Sequence, residues 1–594
     1  MSYRRKKLLA LFCATALSMT AVAGCTGTKS STGNVVSSET ETNAEETSAQ
    51  SEAGTFSSAD MFTERDLAGT YEESRAVYVT LSDDGITGET DGVVINGQTV
   101  TITAEGTYIF CGTLSEGQIV VDADNAKVQI VFDNVDITCA SSAAVYVKSA
   151  EKVFVTLAEG SQNTLRNTDE YVAIDDNNID AVIFAKSDLT LNGTGSLTIV
   201  SAEGYGIVSK DDLKITGGIY DITAAGHALS GKDSVRIADG TFILTAEKDG
   251  IHAENADDEE KGYIYIADGD FTITSDGDGV DASNIVQIED GTLDITAGGG
   301  AANSLKTHES DMPGGPGGGM PQNGERPDGE SVPQMGEKPD GENMPQDTTT
   351  DESGTSTKGI KAGGGMYLNG GTYQIDSADD SIHSNANITI ADGTYTLATG
   401  DDGVHADDAL IVNGGTITVT ESYEGLEGLA VTINDGTIDI TASDDGINTA
   451  GEKMELNGGY IHILAGGDGV DSNGDLTING GEIYIDGPSD NGNSAIDYGD
   501  RSSAYVNGGT LVAIGSSGMA EVMSDSSKQK VLMVKLGEQM EAGNVVLTDS
   551  EGNVIVSYTA LKTYDCVIIS TAEVESGATY TLTTSGTTTE VTAE

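Results

Sequence analysis

The stretch Gly370-Gly-Thr-Tyr-Gln-Ile375 decides the fold, because similar hexapeptides recur down most of the chain. Aligning the position of Tyr373 in each copy gives successive spacings of 22, 29, 22, 80, 22, 22, 21, 23, 22 and 28 residues. The three long spacings contain insertions at 254–261, 306–357 and 487–493. A fixed short period is the sequence signature of a solenoid. The aligned residues are Tyr220, Phe242, Phe271, Leu293, Tyr373, Tyr395, Ile417, Ile438, Ile461, Ile483 and Leu511.

Each repeat alternates apolar and polar residues over four to six positions, with Gly, Asn and Asp between these runs. A period of two indicates strands, and the glycines and asparagines indicate turns. A unit of 22 residues accommodates three strands and three turns. The sequence therefore predicts an all-β protein, a right-handed parallel β-helix of about 22 residues per coil, with the hand taken from the rule for parallel crossovers.

Changes in composition set the boundaries. A Ser/Thr/Glu-rich stretch precedes the repeats, and seven of the eight prolines lie in the interruption at 306–357. Neither stretch has the apolar content to form a core. After the last repeat the strand pattern changes, which predicts an antiparallel β module that covers the end of the solenoid. The predicted parts are a signal peptide 1–24, a disordered tether 25–75, a first β-helix part 76–305, a disordered loop 306–357, a second β-helix part 358–524 and a cap 525–594.

The N-terminus has the pattern of an export signal. Four basic residues at positions 4–7 precede an apolar stretch at 8–22. The sequence Val22-Ala-Gly-Cys25 then resembles the lipobox of bacterial lipoproteins. That resemblance implies lipidation of Cys25, a position on the extracellular face of the cell membrane, and membrane contact through the lipid anchor only. An ordinary signal peptide with a chance cysteine is the alternative.

The net charge of the protein limits the classes of molecule that it can bind. The net charge is −67, and removal of residues 1–24 leaves 25 basic against 96 acidic residues, a net charge of −71. Nucleic acid is excluded as a partner, because phosphate binding needs clustered Lys and Arg. Such a surface repels itself unless it binds counterions.

The recurring aromatic column has two interpretations. Tyr373 and its equivalents either stack inside the coil as core residues or form an exposed platform for sugar rings. Ile and Leu alternate with Tyr and Phe in this column, which favours the core.

A second column is acidic. It has the form Asp-Gly-x-His/Asp, with examples at 249–252, 278–281, 402–405 and 468–471. Equivalent residues on adjacent coils of a parallel β-helix lie about 4.8 Å apart, so these carboxylates would repel each other. One Ca²⁺ ion, with Ca–O distances of about 2.3–2.6 Å, bridges carboxylates at that separation. The alternative is that Asp-Gly only marks a turn.

The column predicts a Ca²⁺ cofactor. The predicted metal ligands are Asp276, Asp278, Asp281, Asp379, Asp380, Asp401, Asp402, Asp444, Asp445, Asp468 and Asp471. The histidines of the column are expected to pack or hydrogen-bond, since calcium prefers oxygen.

Several motifs together resemble the clostridial carbohydrate-binding domain-containing lipoproteins. They are the lipobox, the Asp-Asp-Gly-x-His/Asp/Asn turns, the Gly-Gly-Thr-Tyr-x-Ile strands, and the Pro/Gly/Met-rich interruption before Lys358-Gly-Ile-Lys-Ala362. The resemblance covers most of residues 77–590. It implies a calcium-bound β-helix, similar in shape to family 9 pectate lyases, that binds polygalacturonate (pectin), with cellulose as a second glycan.

Three hypotheses remain open from the sequence. The first is a surface protein that binds acidic plant polysaccharide through calcium. The second is a calcium-dependent pectate lyase, for which Lys306, Lys358 and Lys361 are the candidate bases near 276–281. The third is a structural stalk or adhesin without a glycan ligand.

Overall fold

The computed structural model describes residues 55–88, 90–306, 356–499 and 501–593. The predicted signal peptide, Cys25, most of the tether and most of the predicted loop lie outside these residues. The described residues form 49 strands and four short helical turns. The helical turns are α1 (Ser58–Met61), α2 (Glu64–Ala68) and two 3₁₀ turns (Glu73–Arg75 and Ala301–Asn303).

The strands before the Pro/Gly/Met-rich interruption are β1 (Val77–Leu81), β2 (Val93–Asn96), β3 (Thr99–Ile102), β4 (Gly106–Leu114), β5 (Gln118–Asp122), β6 (Lys127–Thr138), β7 (Val145–Ser149), β8 (Lys152–Leu157), β9 (Gln162–Asn167), β10 (Ala181–Ala185), β11 (Asp188–Gly193), β12 (Ser196–Ser201), β13 (Tyr205–Ser209), β14 (Asp212–Ile215), β15 (Ile219–Ala224), β16 (Leu229–Gly231), β17 (Ser234–Ile237), β18 (Thr241–Ala246), β19 (Ile251–Ala253), β20 (Tyr263–Ile266), β21 (Asp270–Ser275), β22 (Val280–Ala282), β23 (Val286–Ile288) and β24 (Thr292–Ala297).

The strands after it are β25 (Ile360–Ala362), β26 (Met366–Leu368), β27 (Thr372–Ser377), β28 (Ile382–Ser384), β29 (Ile388–Ile390), β30 (Thr394–Thr399), β31 (Val404–Val412), β32 (Thr416–Glu421), β33 (Leu426–Ile433), β34 (Thr437–Ala442), β35 (Ile447–Thr449), β36 (Met454–Leu456), β37 (Tyr460–Ala465), β38 (Val470–Ser472), β39 (Leu476–Ile478), β40 (Glu482–Asp486), β41 (Ile496–Tyr498), β42 (Ala504–Val506), β43 (Thr510–Gly515), β44 (Leu532–Met540), β45 (Gly543–Thr548), β46 (Val554–Ala560), β47 (Tyr564–Ser570), β48 (Thr579–Thr584) and β49 (Thr587–Thr592).

Parallel pairing from coil to coil arranges most strands in three ladders. Ladder one contains β10, β13, β16, β19, β22, β25, β28, the first parts of β31 and β33, then β35, β38 and β41. Ladder two contains β8, β11, β14, β17, β20, β23, β26, β29, the second parts of β31 and β33, then β36, β39 and β42. Ladder three contains β9, β12, β15, β18, β21, β24, β27, β30, β32, β34, β37, β40 and β43.

The register confirms the all-β class and the parallel solenoid. Tyr373 pairs with Tyr395, 22 residues later, and Ile417 pairs with Ile438, 21 residues later. The right hand and the coil length of about 22 residues stay predictions.

Inward-facing residues of the three ladders form one continuous core. Tyr220, Phe242, Tyr373 and Tyr395 are all at most 1% exposed. The rings of Tyr373 and Tyr395 stack with their centroids 4.5 Å apart. This burial confirms the core interpretation of the aromatic column.

Residues 55–75 correct the predicted tether boundary, because they are ordered against the outer face of ladder two. In α2 the Asp66 carboxylate is fully buried, lies 2.6 Å from Lys152 Nζ and accepts a hydrogen bond from Thr190 Oγ1. Met61 packs on Tyr263 and Tyr265. Burial of these few groups on distant strands orders a segment whose own composition is polar.

Antiparallel strands follow the last coil. β47 pairs antiparallel with β43 of ladder three and with β44. The remaining four form a second antiparallel sheet in the order β46-β45-β48-β49. Tyr558 of β46 donates a hydrogen bond to Asp486 Oδ2 of β40, at 2.5 Å. The pairing with β47 covers the edge that the last strand of ladder three would otherwise expose.

Candidate metal centre at the acidic corner

The turn from ladder three to ladder one carries two columns of polar side chains, which together we call the acidic corner. The corner column is the residue before the Gly, Ser or Ala of each turn, and the strand column lies three residues later, in the middle of a ladder-one strand. The corner column contains His227, Asp249, Asp278, Lys358, Asp380, Asp402, Glu424, Asp445, Asp468 and Ser494. The strand column, in paired register, contains His252, Asp281, Lys361, His383, His405, Glu427, Asn448, Asp471 and Asp497.

The glycine of each Asp-Gly pair closes the coil. At Gly446, a Cβ atom would clash with Cγ2 of the inward-facing Ile463 and would lie 2.5 Å from the carbonyl oxygen of Gly469. Glycine at this position is therefore a packing requirement and carries no information about a ligand.

One oxygen of each corner aspartate also has a structural role. The backbone N–H of Asp278 donates to Asp249 Oδ1 at 2.9 Å, and that of Asp468 donates to Asp445 Oδ1 at 2.6 Å. Ser494 N–H donates in the same way to Asp468 Oδ1. These bonds tie each coil to the next with or without a metal. The chemistry of the corner therefore depends on what the second oxygen, Oδ2, contacts.

In the first part of the corner, histidines contact this second oxygen. Asp249 Oδ2 lies 3.0 Å from His227 Nδ1 and 2.9 Å from His252 Nδ1, and His252 Nδ1 is also 3.2 Å from Asp281 Oδ2. Burial opposes ionisation of Asp249, yet the two imidazoles hold its pKa well below the ordinary value. Burial likewise opposes a charged His252, yet the Asp249 and Asp281 carboxylates raise its pKa to about 10.

Lysines occupy the next coil. Lys361 Nζ lies 3.4 Å from Asp278 Oδ2 and 3.4 Å from Asp281 Oδ1. Lys358 Nζ lies 2.9 Å from Asp379 Oδ1 and 2.5 Å from Asp380 Oδ2. These ammonium groups neutralise carboxylates that the sequence predicts as metal ligands.

A third lysine completes this arrangement. Lys306 Nζ lies 2.7 Å from Asp379 Oδ1 and also contacts Asp401 Oδ2. Carboxylate oxygens of Asp379, Asp380 and Asp401 lie within 4.8 Å of one another, close enough to hold a metal ion. We call these three carboxylates with Lys306 and Lys358 the lysine-filled cluster. Its positive charge is supplied by the chain itself, so its residues do not fit an additional divalent ion.

The next two coils form a transition. His405 Nδ1 lies 3.2 Å from Asp402 Oδ2 and 3.2 Å from Glu427 Oε2. Asn448 donates a hydrogen bond to Glu424 Oε2 at 3.0 Å. Burial and the Asp402 carboxylate raise the pKa of Glu424 to about 10.

On the last coils, the ionisable side chains of the acidic corner are all carboxylates. Carboxylate oxygens of Asp445, Asp468 and Asp471 lie within 4.8 Å of one another, and we call these residues the open cluster. Burial, and to a lesser extent the neighbouring Asp444 carboxylate, raises the pKa of Asp445 to about 7. Burial raises the pKa of Asp468 to about 8 and, with Asp497, that of Asp471 to about 6.

No cationic side chain in the described part of the chain neutralises the open cluster. Residues 454–500 contain no lysine or arginine. The histidine of this stretch, His462, lies 3.0 Å from Asp439 and 3.7 Å from Asp486 instead. A Cβ at Gly467 would clash with Oδ1 of Asp444 and of Asp445, so the glycine keeps space open beside these carboxylates. Hard oxygen ligands around such a space are what Ca²⁺ prefers.

The structure divides the predicted ligands into three groups. Asp445, Asp468 and Asp471 come together in the open cluster, with the half-buried Asp444 beside it. Asp276 is exposed and belongs to no such group among the described residues. The remaining ones face lysine or histidine: Asp278, Asp281, Asp379, Asp380, Asp401 and Asp402.

Sequence reasoning missed Asp497, which pairs in register with Asp471 and adds a carboxylate beside the open cluster. The Asp-Gly search passes over it because Ser494 and Ala495 replace that dipeptide. The signal that finds it is the strand dipeptide, since Ile496-Asp497 follows Val470-Asp471 by one coil.

The family of the chain follows from sequence comparison. The family model described as "Carbohydrate-binding domain-containing protein" matches residues 96–403 and 400–551, which span all three ladders and the acidic corner. This chain belongs to the carbohydrate-binding domain-containing protein family.

Two proteins resemble this family member over part of its length. A carbohydrate-binding domain-containing protein of Acetivibrio thermocellus is 41% identical over 129 residues, which is 21% of this chain and 45% of the relative. This family member thus spans less than half the length of that curated relative. A solved polysaccharide lyase-like protein from C. thermocellum, a gadolinium derivative, is 36% identical, covers 38% of this chain and 92% of its own, and has a TM-score of 0.37.

In this family member, no helix within the described ranges is long and apolar enough to span a membrane.

Proposed function

We propose that this protein binds acidic polysaccharide of the polygalacturonate type through calcium held at the open cluster. One observation carries the proposal: Asp445 and Asp468 each use Oδ1 to hold the next coil, and no cation of the described chain neutralises them. On the earlier coils, from Asp249 to Asp402, the second oxygen of each corner aspartate contacts a lysine or a histidine.

Calcium fits this site better than protons alone. Partly buried carboxylates on adjacent coils favour the neutral acid, which is why their pKa values rise to between about 6 and about 8. Three oxygens within 4.8 Å of one another match the span of one Ca²⁺ coordination shell. Asp471 and Asp497 are only half-buried, so water and a ligand have access to the cluster.

The negative charge of the protein bears on how it can bind an acidic glycan. With 96 acidic and 29 basic residues, the protein repels a polyanion unless a cation lies between them. Bound calcium supplies that positive centre and accepts uronate carboxylates as further oxygen ligands. The family supports a carbohydrate as the partner.

The first prediction is that chelation abolishes binding. The mature chain is expected to sediment with insoluble polygalacturonate in calcium and to remain in the supernatant in excess EDTA, because the bridging cation is lost. Calcium added back should restore binding, whereas sodium at equal ionic strength should not. Retention on the polysaccharide in EDTA would disprove the calcium bridge.

The lysines of the corner favour binding over a lyase reaction. A general base needs a pKa near the working pH. Burial lowers the pKa of Lys361, but Asp278 and Asp281 outweigh it and raise the pKa above the ordinary value. The ammonium is therefore held in its charged form and is poorly suited to abstract a proton.

We also infer that the protein is lipid-anchored at Cys25 on the extracellular face of the membrane. The support is the basic segment at 4–7 and the lipobox-like Val22-Ala-Gly-Cys25. A labelled fatty acid should be incorporated into the native chain and not into Cys25→Ala; equal labelling of both would contradict the anchor.

A further inference from the structure

Residues 55–75, which we call the strap, contact the outer face of ladder two through a buried ion pair. Lys152 Nζ lies 2.6 Å from Asp66 Oδ1, and the two side chains are 10% and 0% exposed. The backbone carbonyl of Asp66 accepts hydrogen bonds from Asn192 at 3.2 Å and from Thr216 at 2.6 Å, which fix the residue on the solenoid. An amine and a carboxyl group are thus held in contact and almost without water.

This pair is exclusive. Within the described ranges, Lys152 and Asp66 are each other's only ion-pair partner. The buried Lys358 differs, because its ammonium contacts both Asp379 and Asp380, and Asp380 Oδ2 is also 2.8 Å from His383 Nδ1. A carboxylate that faces several cations stays ionised. In a one-to-one pair, the transfer of a single proton neutralises both groups.

The two oxygens of the Asp66 carboxyl group have different surroundings. Oδ2 accepts hydrogen bonds from the N–H of Thr63 at 3.0 Å and from its hydroxyl at 2.8 Å. Oδ1 faces Lys152 and accepts the hydroxyl of Thr190 at 2.8 Å. Two fixed donors on Oδ2 stabilise the negative charge that develops there when a nucleophile attacks the carboxyl carbon.

A second carboxyl group lies beside the pair. Asp188 pairs in register with Lys152 on the adjacent coil, and both line a cavity of about 440 Å³ that the strap and ladder two form together. Burial, and to a lesser extent Asp212, raises the pKa of Asp188 above its ordinary value. A carboxyl group of this kind is suited to carry a proton from nitrogen to oxygen.

We propose that Lys152 and Asp66 form an isopeptide bond, which joins the strap covalently to ladder two, with Asp188 as the proton carrier. One proton passes from Nζ to Oδ1, which leaves a neutral amine beside a neutral acid. Nζ then attacks Cγ, so that the Nζ–Cγ bond forms and the Cγ–Oδ1 bond breaks. Of the three ammonium protons, one stays on the amide nitrogen and two leave with Oδ1 as water. The step needs no oxidant and no co-reactant.

Burial favours the conversion of the ion pair into an amide. Burial opposes the charge on Asp66, although the bonds from Lys152, Thr63 and Thr190 lower its pKa to about 2, so the resting pair is ionic. Holding an ammonium and a carboxylate out of water is costly. The amide removes both charges, and its oxygen is Oδ2, which keeps both hydrogen bonds from Thr63.

Intact mass and a tryptic map of the folded mature chain, produced without lipid, test the bond. The native chain is expected to be lighter than its sequence by the mass of one water molecule. After denaturation, trypsin should fail to cleave at Lys152 and should release a branched peptide that joins residues 66–75 to residues 149–166. Lys358 should be cleaved normally, because its ammonium is shared between two carboxylates.

Two variants separate the reaction from the fold. Lys152→Arg keeps the positive charge but has no amine to acylate, so it should have its full sequence mass and an unchanged circular dichroism spectrum. Asp188→Asn should also fold, and the linked fraction at equal times after synthesis should fall at least tenfold. Full linkage in Asp188→Asn would remove that residue from the reaction.

Two results would overturn the bond itself. One is the recovery of unlinked peptides 66–75 and 153–166 from the native chain. The other is a loss of water that maps to an Asp-Gly pair, where a succinimide gives the same change in mass. The strap contact does not involve the acidic corner, so this outcome is independent of polygalacturonate binding.

Discussion

The double variant Asp445→Asn/Asp468→Asn is expected to be more stable than the native chain at pH 8 in EDTA and less stable in calcium. Asparagine keeps the Oδ1 acceptor that holds the next coil but removes the charge. In the metal-free native chain, the pKa values of about 7 and about 8 are raised, so stability is present at low pH and is lost as pH rises through them. The variant has lost this penalty.

In calcium, the native chain should be more stable than the double variant. A free calcium concentration about 1,000 times Kd adds about 4 kcal/mol to the native chain. For a protein of this size that corresponds to a rise in Tm of about 4 °C. The double variant should show no rise. Thermal unfolding followed by circular dichroism, with and without calcium at pH 8, measures all four values.

Asp392→Asn is the matched control for this experiment. Asp392 is exposed and accepts a hydrogen bond from the N–H of Gly393 at 2.8 Å, on a turn outside the acidic corner. It should respond to calcium as the native chain does. An undiminished calcium shift in the double variant would mean that the ion binds elsewhere.

Lys358→Met is expected to be the most destabilising single substitution at the acidic corner. Its ammonium lies 2.9 Å from Asp379 Oδ1 and 2.5 Å from Asp380 Oδ2, and only 12% of its side chain is exposed. Removing one partner of a buried ion pair leaves the other charge uncompensated, which costs about 3–5 kcal/mol. Chemical denaturation measures this loss.

Two further variants test whether the loss of stability in Lys358→Met comes from the removed charge. Lys358→Met/Asp380→Asn should recover part of the loss, because it removes one stranded carboxylate and keeps the Oδ1 acceptor that holds Asp402 N–H. Lys453→Met removes an exposed ion pair with Glu455 and should cost at most about 0.5 kcal/mol. Equal effects of Lys358→Met and Lys453→Met would show that the lysine-filled cluster is not held by charge.

The solenoid was predictable because each coil repeats the same local rules. Glycine is forced where a coil turns, as at Gly446, and apolar residues alternate inward, as at Tyr373 and Ile375. A constant period then sets the register without any knowledge of long-range contacts. The same alternation places Tyr460 outward, since it directly precedes the inward-facing Ile461.

Contacts between distant segments were not predictable in this way. Lys306 and Lys358 meet at Asp379 although 51 residues separate them. The sequence therefore shows a continuous acidic column, and only the register shows that its first part is neutralised. Residues 55–75 are a similar case, because the partners of Asp66 at Lys152 and Thr190 lie far along the chain.

Anomalous diffraction from crystals grown in calcium tests the central claim most directly. We predict an anomalous peak within about 2.3–2.6 Å of carboxylate oxygens of Asp445, Asp468 and Asp471, and none beside Lys306 and Lys358. Those three aspartates bound only to water, in crystals grown in abundant calcium, would contradict it.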